Sequence, residues 1–129
     1  MNKTKGANAE RELLHMLERE KWKAVRVAGS GMIEETACDL IMSHGSKKKQ
    51  FIVECKTCND KKRYLEKQQI EELKKFAIEW GAPPVLAVKF NRQGWWFIEP
   101  EKLEDTGKGL AISLENIQKI GTSFDNFIK

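Results

Sequence analysis

Phe51-Ile52-Val53-Glu54-Cys55-Lys56-Thr57 reads as a buried β-strand that carries two charges. Side chains alternate faces along a strand, so Ile52, Glu54 and Lys56 share one side, and Phe51, Val53 and Cys55 the other. A carboxylate and an ammonium therefore project together from an otherwise apolar strand, and burying charge is costly unless it is paired or bound to metal. Upstream, Asp39 leads a second apolar run, Leu40-Ile41-Met42. The loop Ser43 to Gln50, with Gly45 as its turn residue, can fold that run back as a hairpin. Two acids and a lysine then converge at the end of a sheet, as a hard divalent cation and a phosphate require. A strand acid followed by a lysine is, taken alone, more commonly a surface pair on an edge strand. Further polar groups on apolar faces weigh against that bland reading.

Helical phase supplies them. Glu10 precedes Leu13, Leu14 and Leu17 at i+3, i+4 and i+7, which places it on the apolar stripe of a first helix, while Glu12 and Glu18 are out of phase. Gln69 stands in the same relation to Leu73, Phe76 and Trp80 in a second helix. Polar side chains on core-facing stripes suggest one shared site.

At 129 residues the chain has the length of one domain. Charged residues make up 33% and hydrophobic ones 40%, a globular rather than a disordered balance. A net charge of +4 leans weakly toward a polyanionic partner. No apolar run resembles a signal peptide or a membrane span, so a cytoplasmic, nucleoid-associated location without membrane contact is expected. Cys55-x-x-Cys58 could be half of a zinc site or a redox pair. A structural zinc site needs four ligands, and Cys38, His15 and His44 offer no second ligand pair. The thiols therefore read as structural and, three in number, unbridged.

The pattern of the whole chain predicts helix, sheet, helix, sheet. Residues 7–21 form the first helix, with Gly6 before it, and residues 23–28 a strand that breaks at Gly29-Ser30-Gly31. Residues 38–42 and 51–57 form the hairpin. Asn59 to Arg63 is a basic linker, and residues 65–80 form the second helix, ended by Gly81 and Pro83-Pro84. Residues 85–90 and 95–98 are further strands, and short helices lie near Glu101 and Glu115. The expected fold is α/β, with a central mixed five-stranded sheet flanked by helices. The strands on either side of the second helix should run parallel.

The chain resembles the archaeal Holliday junction resolvases, members of the PD-(D/E)xK nuclease superfamily, over about residues 3 to 100. The resemblance is carried by Lys5-Gly6 followed by Glu10-Arg11, by Val25-Arg26-Val27-Ala28-Gly29-Ser30-Gly31, and by Asp39-Leu40-Ile41. Val53-Glu54-Cys55-Lys56, Gln69 and Val88-Lys89-Phe90 before a Trp-containing strand complete it. Cys38 stands where the superfamily name implies proline, a residue that is not a ligand. The resemblance implies a restriction-endonuclease-like fold and a metal-dependent endonuclease that resolves four-way DNA junctions by paired symmetric nicks. It implies that Asp39, Glu54 and the Cys55 carbonyl hold Mg²⁺, with Mn²⁺ as a substitute, and that Glu10 completes the acidic cluster, directly or through water. Lys56 would orient the attacking water, Gln69 would position the lysine or water, and Ser30 would contact the cleaved strand.

Lys3, Lys5, Arg11, Arg26, Lys61, Lys62 and Arg63 would then give the DNA its footing, and Lys47-Lys48-Lys49 reads as a solvated loop. A junction's two-fold symmetry implies a homodimer, with Trp95 or Trp96 as a candidate surface. Replication or recombination proteins are possible further partners. Three other readings compete: a different endonuclease of the superfamily acting in repair, an inactive DNA-binding module of the same fold, and a non-DNA protein with a thiol site. A labelled junction and a matched duplex, with and without Mg²⁺, separate the DNA-related readings.

Overall fold

The computed structural model describes residues 3–27 and 38–129. Helix α1 (Lys3–Arg19) begins before the expected residue 7 and takes Gly6 into its first turns. Its buried positions are Ala9, Leu13 and Leu17, one turn apart, with Leu14 half-buried beside them. The helix stops in a Schellman turn: the Trp22 N–H donates to the Leu17 carbonyl at 3.0 Å and the Lys21 N–H to the Glu18 carbonyl at 3.1 Å. Trp22 and Leu17, the apolar pair that usually accompanies this motif, are both fully buried. The turn forces Lys21 to φ 72°, a left-handed conformation that disfavours a side chain by about 1–2 kcal/mol. Glycine relieves that strain at about 0.5–1 kcal/mol of extra chain entropy. Lys21→Gly is accordingly expected to stabilise the fold by about 0.5–1 kcal/mol, seen as a higher urea midpoint at constant slope. A lower midpoint would assign the Lys21 side chain a stabilising contact.

Strands β1 (Lys23–Arg26), β2 (Leu40–His44) and β3 (Lys49–Cys58) form an antiparallel meander. The hairpin is longer and tighter than expected, turning over Gly45 to Lys48 rather than Ser43 to Gln50. Strand β4 (Lys62–Leu65) and helix α2 (Lys67–Trp80) lead to β5 (Pro84–Phe90), which pairs parallel with β3 as the crossover argument predicts. Gly81, at φ 94°, ends α2. Strand β6 (Gly94–Ile98) pairs back on β5. A 3₁₀ turn (Pro100–Lys102), β7 (Glu104–Asp105), β8 (Leu110–Ser113), α3 (Leu114–Ile120), β9 (Thr122–Ser123) and α4 (Phe124–Phe127) complete the chain.

The main sheet has six strands in the order β1-β2-β3-β5-β6-β9, not five. The extra strand is the two-residue β9 on the edge of β6, too short to leave a periodic signal. The expected basic linker is also corrected: Lys62 and Arg63 belong to β4, which forms a second sheet with β8 and β7. That strand is made by a partner some fifty residues away, which local charge could not reveal.

Each face of the main sheet carries its own core. Ile52, Leu86 and Val88 pack with Ile70, Leu73 and Ala77 of α2, together with Leu65 and Ile112. Leu40, Met42, Val53, Val85 and Ala87 pack with α1 on the opposite face. At about 1.5–3 kcal/mol per fully buried large aliphatic side chain, these two layers fix the helices against the sheet. The α2 stripe runs through Ile70, Leu73 and Ala77, so Phe76 sits at its edge and Trp80 is 52% exposed rather than core. On the α1 side, α4 stacks Phe127 on Phe97 with ring centroids 4.0 Å apart and meets Phe51 at 4.9 Å. The carbonyl of Ile128 accepts from Trp22 Nε1 at 3.2 Å and from Lys47 Nζ at 2.6 Å.

Candidate active site

The antiparallel register pairs Leu40 with Val53, and one step further Asp39 faces Glu54 across the β2–β3 boundary. The Asp39 N–H donates to the Val53 carbonyl at 2.9 Å, and Asp39 Oδ2 accepts the Cys55 N–H at 2.8 Å. The backbone thus holds this carboxylate in a fixed pose beside Glu54, and the two side chains are in hydrogen-bonding contact. Glu54, 7% exposed, is the one buried charged residue among those described. As strand phase predicts, it lies with Lys56 on the α2 face. Lys56 Nζ stands 3.3 Å from Glu54 Oε2. Gln69, from the first turns of α2, closes a ring: its Nε2 donates to Glu54 Oε2 at 3.1 Å and its Oε1 accepts from Lys56 Nζ at 3.0 Å. Among the described residues no buried side-chain polar atom lacks a partner.

Burial first, and then the charge of Asp39, push the Glu54 carboxyl up to about 8, against the opposing pull of Lys56. Two acids facing each other in a desolvated corner repel unless a proton or a cation lies between them. That donor set, two carboxylates near the Cys55 carbonyl, fits a small hard cation, which binds through one or two carboxylates and keeps several waters. Among the described residues no group of three His, Cys, Asp or Glu side chains converges on one point. Glu10 is accordingly not a third direct neighbour. Burial and the nearby charge of Asp39 raise its carboxyl, and Arg26 opposes them.

Arg26, expected on the DNA, also grips Glu10: its Nε and Nη2 both lie 3.2 Å from Glu10 Oε1. Its side chain remains 37% exposed, so the pair sits at the rim of the site. Arg11 is exposed, with Nη1 3.4 Å from Asn8 Oδ1. Lys61 and Lys62 are exposed on and before β4, while Arg63 is half-buried and donates to the Thr57 carbonyl at 2.6 Å. Lys3 and Lys5 fall in the first turns of α1, and their side chains, like Ser30 and its flanking glycines, lie outside the described residues.

The thiols behave as buried hydrophobes. Cys55 packs on the α1 face, Cys58 and Cys38 on the other, so Cys55 and Cys58 do not converge. Burial raises all three thiols, Cys38 to about 11, which suppresses thiolate chemistry. Trp95 is core, and its Nε1 donates to Glu12 at 3.0 Å, whereas Trp96 is half-buried and the outer edge of β6 is occupied by β9. Sequence reading missed the role of Glu12. It bonds Lys89 at 2.8 Å as well as Trp95 and ties α1 to β5 and β6. Only the tertiary fold brings those partners to it.

A mixed sheet whose β3 carries Glu54 and Lys56, with a second acid across the hairpin, has the layout of the restriction-endonuclease-like nuclease fold. A family model described as archaeal Holliday junction resolvase (Hjc) matches residues 1–129. The chain belongs to that family. It is 40% identical over 120 residues to the crossover junction endodeoxyribonuclease Hjc of Methanocaldococcus jannaschii, covering 93% of this chain and 84% of that protein. It is 33% identical over 119 residues to the Hjc of Archaeoglobus fulgidus, covering 92% and 85% of the two chains. The solved structure of Archaeoglobus fulgidus Hjc, a Holliday junction resolvase from an archaeal hyperthermophile, superimposes with a TM-score of 0.87 at 28% identity, covering 96% of this chain and 100% of that one.

Proposed function

We propose that this chain resolves four-way DNA junctions as a homodimer, each subunit making one of two matched metal-dependent nicks. The observation that carries this reading is the closed ring of Glu54, Lys56 and Gln69 with Asp39 opposite Glu54. Asp39, Glu54 and the Cys55 carbonyl would hold Mg²⁺ or Mn²⁺. A bound cation of that kind supplies Lewis acidity toward a phosphate and lowers the pKa of water. Lys56, held by the Gln69 amide, orients the attacking water and offsets charge that develops on the phosphate oxygens. Glu10, gripped by Arg26, stands behind the acid pair and acts on it through solvent. Ser30 contacts the cleaved strand in this reading.

Lys3, Lys5, Arg11, Lys61 and Lys62 give the backbone its electrostatic footing, and Arg26 joins them from the rim of the site. Contacts to phosphate position a junction without reading its bases. Dimer pairing is best served by α2, where Trp80 stacks on Phe76 and Ile78 is 81% exposed, an apolar group on an otherwise charged helix. A dimer offers two basic faces about one axis, so a junction neutralises more phosphates than a duplex can. Binding falls with a log–log salt slope of about −0.9 per phosphate neutralised.

The test is a labelled four-way junction beside a matched duplex, with and without Mg²⁺, across a salt series. Paired opposing nicks that require the cation, and steeper salt dependence for the junction, are expected. Equal cutting of duplex and junction would instead make the protein a general endonuclease of this fold, and binding without cutting an inactive module. A monomer in analytical ultracentrifugation at assay concentration, with equal affinity for both DNAs, would rule the mechanism out.

A further inference from the structure

Beside the candidate site, a cleft of about 500 Å³ opens between β4 and the start of α2, with Lys56 on its wall. That is within the roughly 300–1,000 Å³ typical of small-ligand sites. Alternation along β4 turns Leu65 into the core and leaves Tyr64, the chain's single tyrosine, 63% exposed on the rim of the cleft. Lys62 Nζ lies 5.2 Å from the centre of the Tyr64 ring and shields part of it. The charges lining the cleft balance, Lys56 and Arg63 against Glu66 and Glu72, which disfavours a phosphate as its occupant. Gln68, paired with Glu72 at 3.3 Å, adds an amide edge with donors and an acceptor. An aromatic face beside a neutral polar edge is chemistry suited to a nucleobase, which stacks through its π-face and hydrogen-bonds at its rim.

Resting on the reading of this site as a DNA-cleaving centre, we propose that the cleft seats one nucleobase of the strand being cut. That base stacks on Tyr64, so Tyr64 is a positioning residue for the nucleotide next to the scissile phosphate. Because Lys56 belongs both to the ring and to the cleft wall, a base held there places its own phosphate near Glu54. Tyr64 is mostly exposed, so replacing it leaves the core intact, which an unchanged thermal midpoint verifies.

Single-turnover nicking of a junction reads the effect. Tyr64→Leu is expected to slow nicking roughly 5- to 150-fold, the worth of stacking one base, while Tyr64→Phe stays near wild type. An abasic residue beside the nick should slow the wild-type protein to the same extent and leave Tyr64→Leu no slower than before. Near wild-type nicking by Tyr64→Leu, a Tyr64→Phe as slow as Tyr64→Leu, or abasic and Leu effects that multiply would each overturn the inference, with the functional reading untouched. A wild-type protein that leaves the junction uncut would overturn that reading and the inference with it.

Discussion

Asp39→Asn and Glu54→Gln are each expected to abolish nicking while leaving junction binding unchanged or tighter. Both substitutions preserve shape and hydrogen-bonding capacity, so the strands and the Gln69 ring can persist. What each removes is one of two carboxyl groups that face each other and would hold the cation, and with it, wherever that group is ionised, some repulsion toward DNA phosphate. Glu54→Gln has a second signature in chelator-containing buffer. The folded carboxyl is raised from 4.5 to about 8, so the folded chain keeps a proton that the unfolded chain gives up. Wild-type stability should therefore fall as pH rises through that window, and the variant should lose that part of the slope. Near wild-type nicking by either variant under single-turnover conditions would refute the assignment of the acids.

Glu10→Gln is expected to slow nicking by about 100-fold, the upper end for groups that act on metal ligands from behind. Glu10 takes this rank by its place: half-buried, near enough to Asp39 to feel its charge, and fixed by two contacts to Arg26. The comparison is Glu18→Gln, exposed on the outer face of α1, which should be nearly silent. Glu12→Gln is a poor control despite being off the apolar stripe, because it would loosen α1 from Lys89 and Trp95. Matched effects from Glu10→Gln and Glu18→Gln would place Glu10 outside the chemistry.

Much of this site was legible because charge broke two strong periodicities. Alternation along β3 put Glu54 and Lys56 on one face, and helical phase brought Gln69 of α2 to them. The same helical phase turned Glu10 inward, but among the described residues Glu10 does not form a three-acid cluster with Asp39 and Glu54. What the sequence did not show of its partner Arg26 is the pairing itself, because a strand-end arginine looks the same whether or not it also meets an acid. The features that escaped are made by distant pairing. Strand β4 exists through β8, β9 through β6, and the exposed Trp80 follows from the way α2 rolls its Ala77 side toward the sheet. Local composition records none of these.

The tight closure of α4 over the sheet bears on which stretch of the chain can be expressed. Phe124 and Phe127 cover Phe97, Phe127 reaches Phe51, and the Ile128 carbonyl is the acceptor for the indole N–H of Trp22. Trimming the final six residues would bare aromatic rings on one sheet face and orphan a buried donor, at about 1–3 kcal/mol for the donor alone. A purification handle fused ahead of Lys3 meets the opposite difficulty, because its own charges would sit among the lysines proposed to meet DNA. Placed beyond Lys129, an exposed residue, a handle can leave the surface without displacing Phe127, provided a pliant spacer precedes it.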